Sequence, residues 1–249
     1  MDMTAKLCLH TGAYHVTMEE VAQAETPART ATHVPIEHTR LLDLLFGALD
    51  SLGVRLNSQE HALANNGQRY FGLFGTDLMG VSGAGTVIGL RNSHDKSFPA
   101  SLVLGTRVFV CDNLAFSGEV KLSRKHTSFI ERDLPGVVMR GAERLIEFKS
   151  AMADRIGSYK ALPLWERDAD HMVCNLVRGR GLAPSQVGHV LAEFDKPSHP
   201  EHLSETGDRT VWTLYNAVTE AYKGSNLFTL PKRSEILHAV CDSAVLQLQ

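Results

Sequence analysis

The chain has 249 residues and a mass of 27.3 kDa, with 43% hydrophobic and 21% charged residues, so it can bury a core without metal ions or disulfide bonds. Its formal net charge of -3 argues against a protein that binds nucleic acid over its whole surface. No apolar run reaches the roughly eighteen residues of a membrane-spanning helix, and residues 1–15 lack a hydrophobic signal segment. We therefore expect a cytoplasmic protein that does not enter a membrane.

Residues 1–34 are predicted to form an N-terminal arm and connector. Residues 22–35 are small and polar and include two prolines, which predicts exposed chain. After Pro35, leucines recur at helical spacing as far as Gly53. Because proline suits the first turn of a helix and glycine the position after its end, we predict a helix over residues 36–52.

Residues 65–125 change to short apolar or alternating runs broken by glycine and asparagine, which predicts strands. The four predicted strands cover residues 69–74, 86–91, 100–111 and 114–122. The corner Asp112-Asn113 suits a tight hairpin between the last two. Strands joined without intervening helices indicate an antiparallel sheet rather than a doubly wound nucleotide-binding sheet.

Helical spacing of apolar residues returns in the C-terminal half. A long helix is predicted to begin near Pro135 or Gly136, and shorter helices follow to the C-terminus. The expected fold is α+β, with one helix, a small antiparallel sheet of about four strands and a mainly helical C-terminal half. We expect residues 35–160 to hold the first helix, the sheet and the long helix, and residues 161–249 to pack on the same core.

The densest polar cluster is residues 91–97, with the sequence RNSHDKS. Consecutive Ser, His and Asp residues point in different directions, so they cannot form a nucleophilic triad by themselves. One interpretation is a polar turn that bonds to its own backbone. The other is a ligand or phosphate contact formed by Arg91, His94 and Lys96.

A cationic segment, residues 121–127 with the sequence KLSRKHT, follows the last predicted strand. Its charged or titratable side chains are Lys121, Arg124, Lys125 and His126. They either protect an exposed strand edge or contact the phosphate backbone of a nucleic acid without recognising its bases. In an antiparallel sheet this segment lies near the end of the first cluster, so we expect the two clusters to share one end of the sheet.

Metal and cofactor sites are not predicted from local spacing. The four cysteines are widely separated, and the twelve histidines match no metal-binding helix motif. A site assembled at long range from His94, Asp95 and His126 stays open as a hypothesis. Three aromatic residues beside Arg69, namely Tyr70, Phe71 and Phe74, could stack on bases, but core packing is the favoured interpretation.

Several strings resemble a family of phage- and plasmid-associated bacterial proteins, the domain-of-unknown-function family nine-three-two. They are RYFGLF at 69–74, GLRNSHDKSFPASLVLGTRVFVCDNLAFSGE at 89–119, RKHT at 124–127 and VWTLYNAVTEAYKG at 211–224. An N-S-H-D turn, a strand pair with Arg, Cys and Asn, and a downstream R-x-H-T recur in that family. Here they fall on residues 92–95, 107–114 and 124–127. The resemblance spans roughly residues 35–245 and implies carriage on mobile elements, but no activity.

Residues 87–150 carry a net charge of +3 in an otherwise neutral or acidic chain. We therefore expect a nucleic-acid-binding accessory protein of a phage or plasmid, with single-stranded DNA as partner, acting in annealing or recombination and assembled as a homo-oligomer. The alternative is an enzyme, a nuclease or phosphoester hydrolase, with His94 as acid or base and Asp95 orienting it. A third interpretation makes both clusters an internal hydrogen-bond network.

Overall fold

The structure is a computed structural model that describes residues 12–79, 84–108, 113–223 and 229–248. Six strands form one antiparallel sheet, and sequence neighbours are also neighbours in the sheet. The strands are β1 (Tyr14–Val16), β2 (Leu56–Ala64), β3 (Arg69–Met79), β4 (Ala84–Ser93), β5 (Ala100–Val108) and β6 (Asn113–Arg124). The expected antiparallel sheet is confirmed, and it is larger than predicted.

The four predicted strands correspond to β3, β4, β5 and β6, whereas β1 and β2 were not predicted. In β2 the first half is largely exposed and the last four residues are all buried, so the alternation that identifies a half-buried strand is missing. β1 has only three residues, too few to show any period. The predicted hairpin corner includes Asp112, which lies outside the described residues.

The turn between β2 and β3 contains three consecutive residues in the left-handed region. Asn65 and Asn66 each have a φ of 52° and Gly67 has a φ of 79°, a conformation that Asn and Gly tolerate better than other residues. The turn pairs Ala64 with Arg69 across the two strands. Two of its carbonyl groups accept hydrogen bonds from histidines: that of Gly67 from the ring of His38 at 2.9 Å and that of Gln68 from the His94 N–H at 2.7 Å.

Seven α-helices occur in the described residues. They are α1 (Met18–Ala22), α2 (His38–Ser51), α3 (Ile130–Ala161), α4 (Glu166–Arg178), α5 (Val187–Asp195), α6 (Val211–Ala221) and α7 (Leu230–Leu248). Helix α2 confirms the helix predicted over residues 36–52, and α3 to α7 confirm the helical C-terminal half. The described helices include none that is both long and apolar enough to cross a membrane.

Helix α3 begins at Ile130 and not near Pro135, as the sequence had indicated; Pro135 lies inside the helix. The reason is the buried face that Ile130, Leu134 and Val138 form at intervals of four residues, with 0%, 2% and 2% exposure. Burial of this face extends the helix on the N-terminal side of the proline.

Glycine at position 141 allows α3 to approach the sheet closely. A Cβ atom there would lie 3.0 Å from Leu102 of β5 and 3.3 Å from Leu122 of β6. Both distances are shorter than ordinary van der Waals contact between carbon atoms. The start of β5 and the end of β6 are thus held against the N-terminal half of α3.

The chain divides into two compact units. Unit 1 comprises residues 1–78, 86–105 and 119–148, and unit 2 comprises residues 79–85, 106–118 and 149–249. The connector belongs to unit 1 and is exposed up to Thr32, as predicted, but His33, Val34 and Ile36 are buried. Both predicted polar clusters, residues 91–97 and 121–127, lie within unit 1, so the candidate site belongs to that unit.

Candidate functional site

The centre of the first polar cluster is buried at the end of β4. Asn92, Ser93 and His94 expose 0%, 0% and 4% of their surface. The hydroxyl of Ser93 donates to the Phe98 carbonyl at 2.7 Å and accepts the Phe98 N–H at 3.1 Å. These bonds close the loop on itself, as in the interpretation of a polar turn bound to its own backbone.

The side chain of Asn92 connects three separate segments of the chain. Its Nδ2 donates to the Ile36 carbonyl at 2.7 Å and to Nδ1 of His38 at 2.9 Å. Its Oδ1 accepts from Nε2 of His126 at 2.7 Å. Because a carbonyl can only accept, Ile36 determines which end of the amide is nitrogen. Asn92 therefore joins the connector, the end of β4 and the cationic segment.

Four buried imidazoles surround Asn92, and we call them the histidine cluster: His33, His38, His94 and His126. The rings of His38 and His94 are parallel, with centroids 4.1 Å apart and an interplanar angle of 1°. The rings of His33 and His126 lie 5.4 Å apart. The residues of the cluster come from the connector, the start of α2, the loop after β4 and the loop after β6, so only the folded chain brings them together.

Hydrogen bonds assign a proton to Nε2 of every ring in the histidine cluster. Nε2 of His38 bonds to the Gly67 carbonyl and Nε2 of His94 to the Ile36 carbonyl, each at 2.9 Å. Nε2 of His33 lies 3.3 Å from the His94 carbonyl, and Nε2 of His126 bonds to the oxygen of Asn92. A nitrogen that bonds to such an oxygen must donate. Each neutral ring thus keeps Nδ1 as its acceptor.

Burial favours the neutral form of these histidines. Burial, reinforced by neighbouring His94, lowers the pKa of His38 to about 4. Burial, with His33 and His94 nearby, also lowers the pKa of His126 to about 4. Burial lowers the pKa of His94 as well, and the backbone groups of Ile36 and Glu25 oppose this only in part. Lowered pKa values leave His38, His94 and His126 uncharged at neutral pH, so these three rings contribute no attraction for an anion.

Asp95 is a partly exposed carboxylate that fixes the loop. Its Oδ2 accepts from Nε of Arg69 at 2.6 Å and from Asn65 at 2.9 Å, and its Oδ1 accepts the Ser97 N–H at 3.0 Å. Partial burial opposes ionisation, but the hydrogen bonds from Ser97, Arg69 and Asn65 outweigh it and lower the pKa of Asp95 to about 2. Asp95 is therefore ionised and already bound by the protein.

The two candidate catalytic residues do not act as a pair in this arrangement. His94 points its Nε2 at the Ile36 carbonyl, whereas Asp95 bonds to Arg69 and Asn65. A general acid or base must come within hydrogen-bond reach of the substrate, and in a catalytic triad a carboxylate also orients the histidine. Among the described residues, no contact shows Asp95 orienting His94. His94 is itself only 4% exposed, so its ring is not open to a substrate.

The cationic segment lies beside the first cluster, as expected, and its side chains have different surroundings. Arg124 forms an ion pair with Asp133 of α3, Nη2 to Oδ2, at 2.6 Å. Lys125 is exposed, and His126 is buried in the histidine cluster. Lys121 lies on β6, and its side chain is outside the described part of the structure.

The remaining predicted cations come from the loop of the first cluster. Arg91 donates through Nε to the Ser101 hydroxyl at 3.4 Å, and its guanidinium carbon lies 5.1 Å from the ring centroid of Phe98. Lys96 is exposed and has a φ of 65°. Such a positive φ is uncommon for a residue other than glycine, and it places Lys96 at the bend of the loop.

A pocket of about 300 Å³ brings the two clusters together, and we call it the lysine pocket. It is lined by Thr32, His33, Lys96, Ser97, Phe98, Pro99, Lys125, His126 and Thr127. The lining combines two exposed ammonium groups, three hydroxyl side chains and two imidazoles. No acidic residue is among these nine lining residues, so the pocket is electropositive.

The structure also decides the two remaining hypotheses for this region, base stacking by three aromatic residues and a long-range metal site. Tyr70, Phe71 and Phe74 expose 0%, 4% and 0% of their surface, which confirms core packing and leaves them unable to stack on bases. Within the described ranges, no three His, Cys, Asp or Glu side chains are arranged to hold a metal ion. His94, Asp95 and His126 therefore do not form the long-range metal site considered above.

Sequence reasoning missed the contribution of the connector to the site. His33 lies in the connector interpreted as exposed chain and His38 in the helix predicted over residues 36–52, and their partners His94 and Asn92 are 61 and 54 residues away in sequence. No local period marks such contacts. The one available signal was the presence of two histidines in a short polar stretch next to a proline.

Comparisons with known proteins add no identification. No family model, no curated protein and no solved structure matched the chain. The function must therefore be inferred from the geometry of unit 1 and from the chemistry of its exposed side chains.

Proposed function

We propose that the protein binds nucleic acid and holds a backbone phosphate in the lysine pocket. The observation that carries this proposal is the convergence of Lys96 and Lys125, from two separate loops, on one pocket. Ammonium groups and hydroxyl side chains such as those of Thr32 and Thr127, which line the pocket, are suited to phosphate oxygens. They contact the backbone and do not depend on base sequence.

The charges around the pocket favour the two lysines over the neighbouring arginines. Arg69 and Arg124 each form an ion pair with a carboxylate, Asp95 and Asp133 respectively. For Lys96 and Lys125, no ion pair occurs within the described residues. An anion that enters the pocket therefore meets two cations that are not engaged in such an ion pair, since the neighbouring carboxylate of Asp95 is paired with Arg69.

The histidine cluster supports the pocket without binding the phosphate. It holds the loop that carries Lys96 and the segment that carries Lys125 in a fixed relation through the bond between Asn92 and His126. Because the lowered pKa values keep His38, His94 and His126 neutral at pH 7, the role of these rings is to position the two loops. This arrangement favours a binding protein over an enzyme that would use His94 in catalysis.

The biological process that the protein serves is also a proposal. The resemblance to phage- and plasmid-associated proteins suggests that the chain serves a mobile element as an accessory protein, in annealing or recombination. Repetition of the pocket in a homo-oligomer would align several phosphate contacts along one strand. Such alignment would give useful affinity from a pocket that supplies only two cations.

The proposal is tested by fluorescence polarisation with a labelled oligonucleotide at two salt concentrations. We expect the double variant Lys96→Ala/Lys125→Ala to lose on the order of tenfold in affinity and to reduce the salt slope by about 0.7 per lost phosphate contact on a single strand. The matched control, Lys196→Ala/Lys232→Ala, removes the same charge from exposed positions in unit 2. Equal losses in both variants, or no loss in the first, would refute binding at the lysine pocket.

A further inference from the structure

An exposed phenylalanine lies next to the lysine pocket. Phe129 follows the pocket residue Thr127 by two positions, and 57% of its surface is exposed. The Ile130 N–H donates to the Thr127 carbonyl at 3.0 Å, so these residues form a turn whose ends lie within about 7 Å of each other. Phe129 is thereby placed at the edge of the pocket, immediately before α3.

Exposure of this ring contrasts with the other phenylalanines described in unit 1. Phe71, Phe74, Phe98 and Phe148 expose 8% of their surface or less, and Phe46 is half-buried. Phenylalanine has no polar group to satisfy in water, and its exposure forgoes the stabilisation that burial of an aromatic ring provides. An exposed ring beside a cationic pocket is the arrangement by which proteins stack on the bases of a single strand.

A chain of charged contacts holds Phe129 next to the cationic segment. The guanidinium carbon of Arg132 lies 4.6 Å from the ring centroid of Phe129. Nε of Arg132 also bonds to Oδ1 of Asp133 at 2.8 Å, and the other oxygen of Asp133 pairs with Arg124 at 2.6 Å. One carboxylate thus serves two arginines, which leaves net positive charge beside the ring.

We propose that Phe129 stacks on an unpaired base of the nucleic acid strand whose phosphate occupies the lysine pocket, so that the site selects single strands. This inference rests on the proposed function and adds the strand class. In a duplex both faces of an internal base are covered by its neighbours, and the base cannot reach a side-chain ring without unstacking. The lysines would bind either form, whereas the ring adds affinity only for a single strand.

The test compares Phe129→Ala and Phe129→Leu with Trp165→Ala as a matched control. Trp165 is 76% exposed and lies in unit 2, so its removal reports the general effect of losing an exposed aromatic ring. The probes are a deoxythymidine oligonucleotide, a uridine oligonucleotide of equal length and a blunt-ended DNA duplex. We expect Phe129→Ala to weaken single-strand binding about tenfold, with no change in the salt slope or in duplex affinity.

The outcomes separate the two proposals. An unchanged single-strand affinity in Phe129→Ala, or an equal loss on the duplex, overturns stacking even when the lysine variants behave as expected. If the double lysine variant has no effect, phosphate binding at the pocket fails whatever Phe129 does. The larger loss on the deoxythymidine or the uridine probe identifies DNA or RNA as the preferred single strand.

A second variant gives a spectroscopic signature that a purely structural role would not produce. In a Trp165→Phe background, the remaining natural tryptophan, Trp212, is buried with 2% exposure. Phe129→Trp then places a second fluorophore at the proposed stacking position. We expect its emission to be quenched by single strands and not by the duplex. Equal emission with and without the oligonucleotide contradicts stacking.

Discussion

The imidazole of His38, at the start of α2, lies parallel to that of His94, in the loop after β4, with ring centroids 4.1 Å apart. Both rings bond through Nε2 to backbone carbonyls, those of Gly67 and Ile36. The stack therefore joins the connector, the β2–β3 turn and the end of β4. The folded state favours the neutral form of both rings, because burial lowers their pKa. The stability of the protein therefore depends on pH.

We predict that folding stability decreases as the pH falls from about 6.5 towards 4. The folded pKa of His38 and of His126 is about 4, against an ordinary value of 6.5, so the unfolded chain binds more protons in this range. The contribution is complete above about pH 6.5 and is lost on acidification, on the order of 3 kcal/mol for each histidine. Urea unfolding at a series of pH values, followed by circular dichroism, measures it.

The control for this prediction is His126→Gln. The glutamine amide can still donate to the oxygen of Asn92, but it does not titrate, so the loss of stability between pH 6.5 and 4 should be smaller in this variant. His171→Gln, at an exposed position of α4, should leave the pH profile unchanged. A profile that is identical in the wild type and in His126→Gln would be inconsistent with a titrating cluster.

Asn92→Ala is predicted to destabilise the protein by about 3 kcal/mol or more. The substitution leaves the Ile36 carbonyl, Nδ1 of His38 and Nε2 of His126 without the partner they have in the wild type. Each buried polar group left in this state costs about 1–3 kcal/mol, although Ile36 keeps its bond from His94. The free energy of unfolding in urea is the quantity to measure.

Asn175→Ala is the matched control for Asn92→Ala. Its amide makes a single long contact of 3.5 Å with His171 near the surface of α4, so its loss should change stability by no more than about 0.5 kcal/mol. Similar stabilities of the two alanine variants would mean that Asn92 does not hold the three segments together.

The variant Lys96→Gly distinguishes the effect of the backbone conformation at residue 96 on stability from the effect of the lysine charge on binding. At a φ of 65°, glycine removes the conformational strain of a side-chain-bearing residue, so this variant should be about 1 kcal/mol more stable than Lys96→Ala. Both variants lack the ammonium group and should bind an oligonucleotide equally weakly. Thermal unfolding and fluorescence polarisation on the same preparations test the two parts.

Recovery of affinity in Lys96→Gly relative to Lys96→Ala would contradict this prediction. It would indicate that the conformation of the loop, and not the charge of Lys96, controls binding. A stability of Lys96→Gly below that of Lys96→Ala would show that the left-handed conformation is not a source of strain in this loop.

The two polar clusters show which features of the candidate site could be predicted from the sequence. The composition of residues 91–97 and 121–127 marked them as unusual, and the antiparallel order of strands predicted that they would meet. The meeting is observed in the bond between Asn92 and His126 and in the lysine pocket. Which of their side chains are exposed could not be predicted, because adjacent residues in a loop have no fixed period of burial.

The aromatic residues gave a similar result. The core position of Tyr70, Phe71 and Phe74 was predicted correctly from their place in a strand. Phe129 was not singled out, although it follows the cationic segment directly. A single aromatic residue in a turn carries no periodic signal, and its exposure depends on the early start of α3 at Ile130.

By itself the sequence determined the α+β fold class, the helix α2, four of the six strands and the helical C-terminal half, because these follow from hydrophobic periodicity within short stretches of chain. Only the tertiary structure decided that His33 and His38 join His94 and His126 around Asn92, and that Lys96 and Lys125 remain at the surface. These contacts join residues that are about 30 to 90 positions apart, and burial there depends on how the elements pack, which no local pattern encodes.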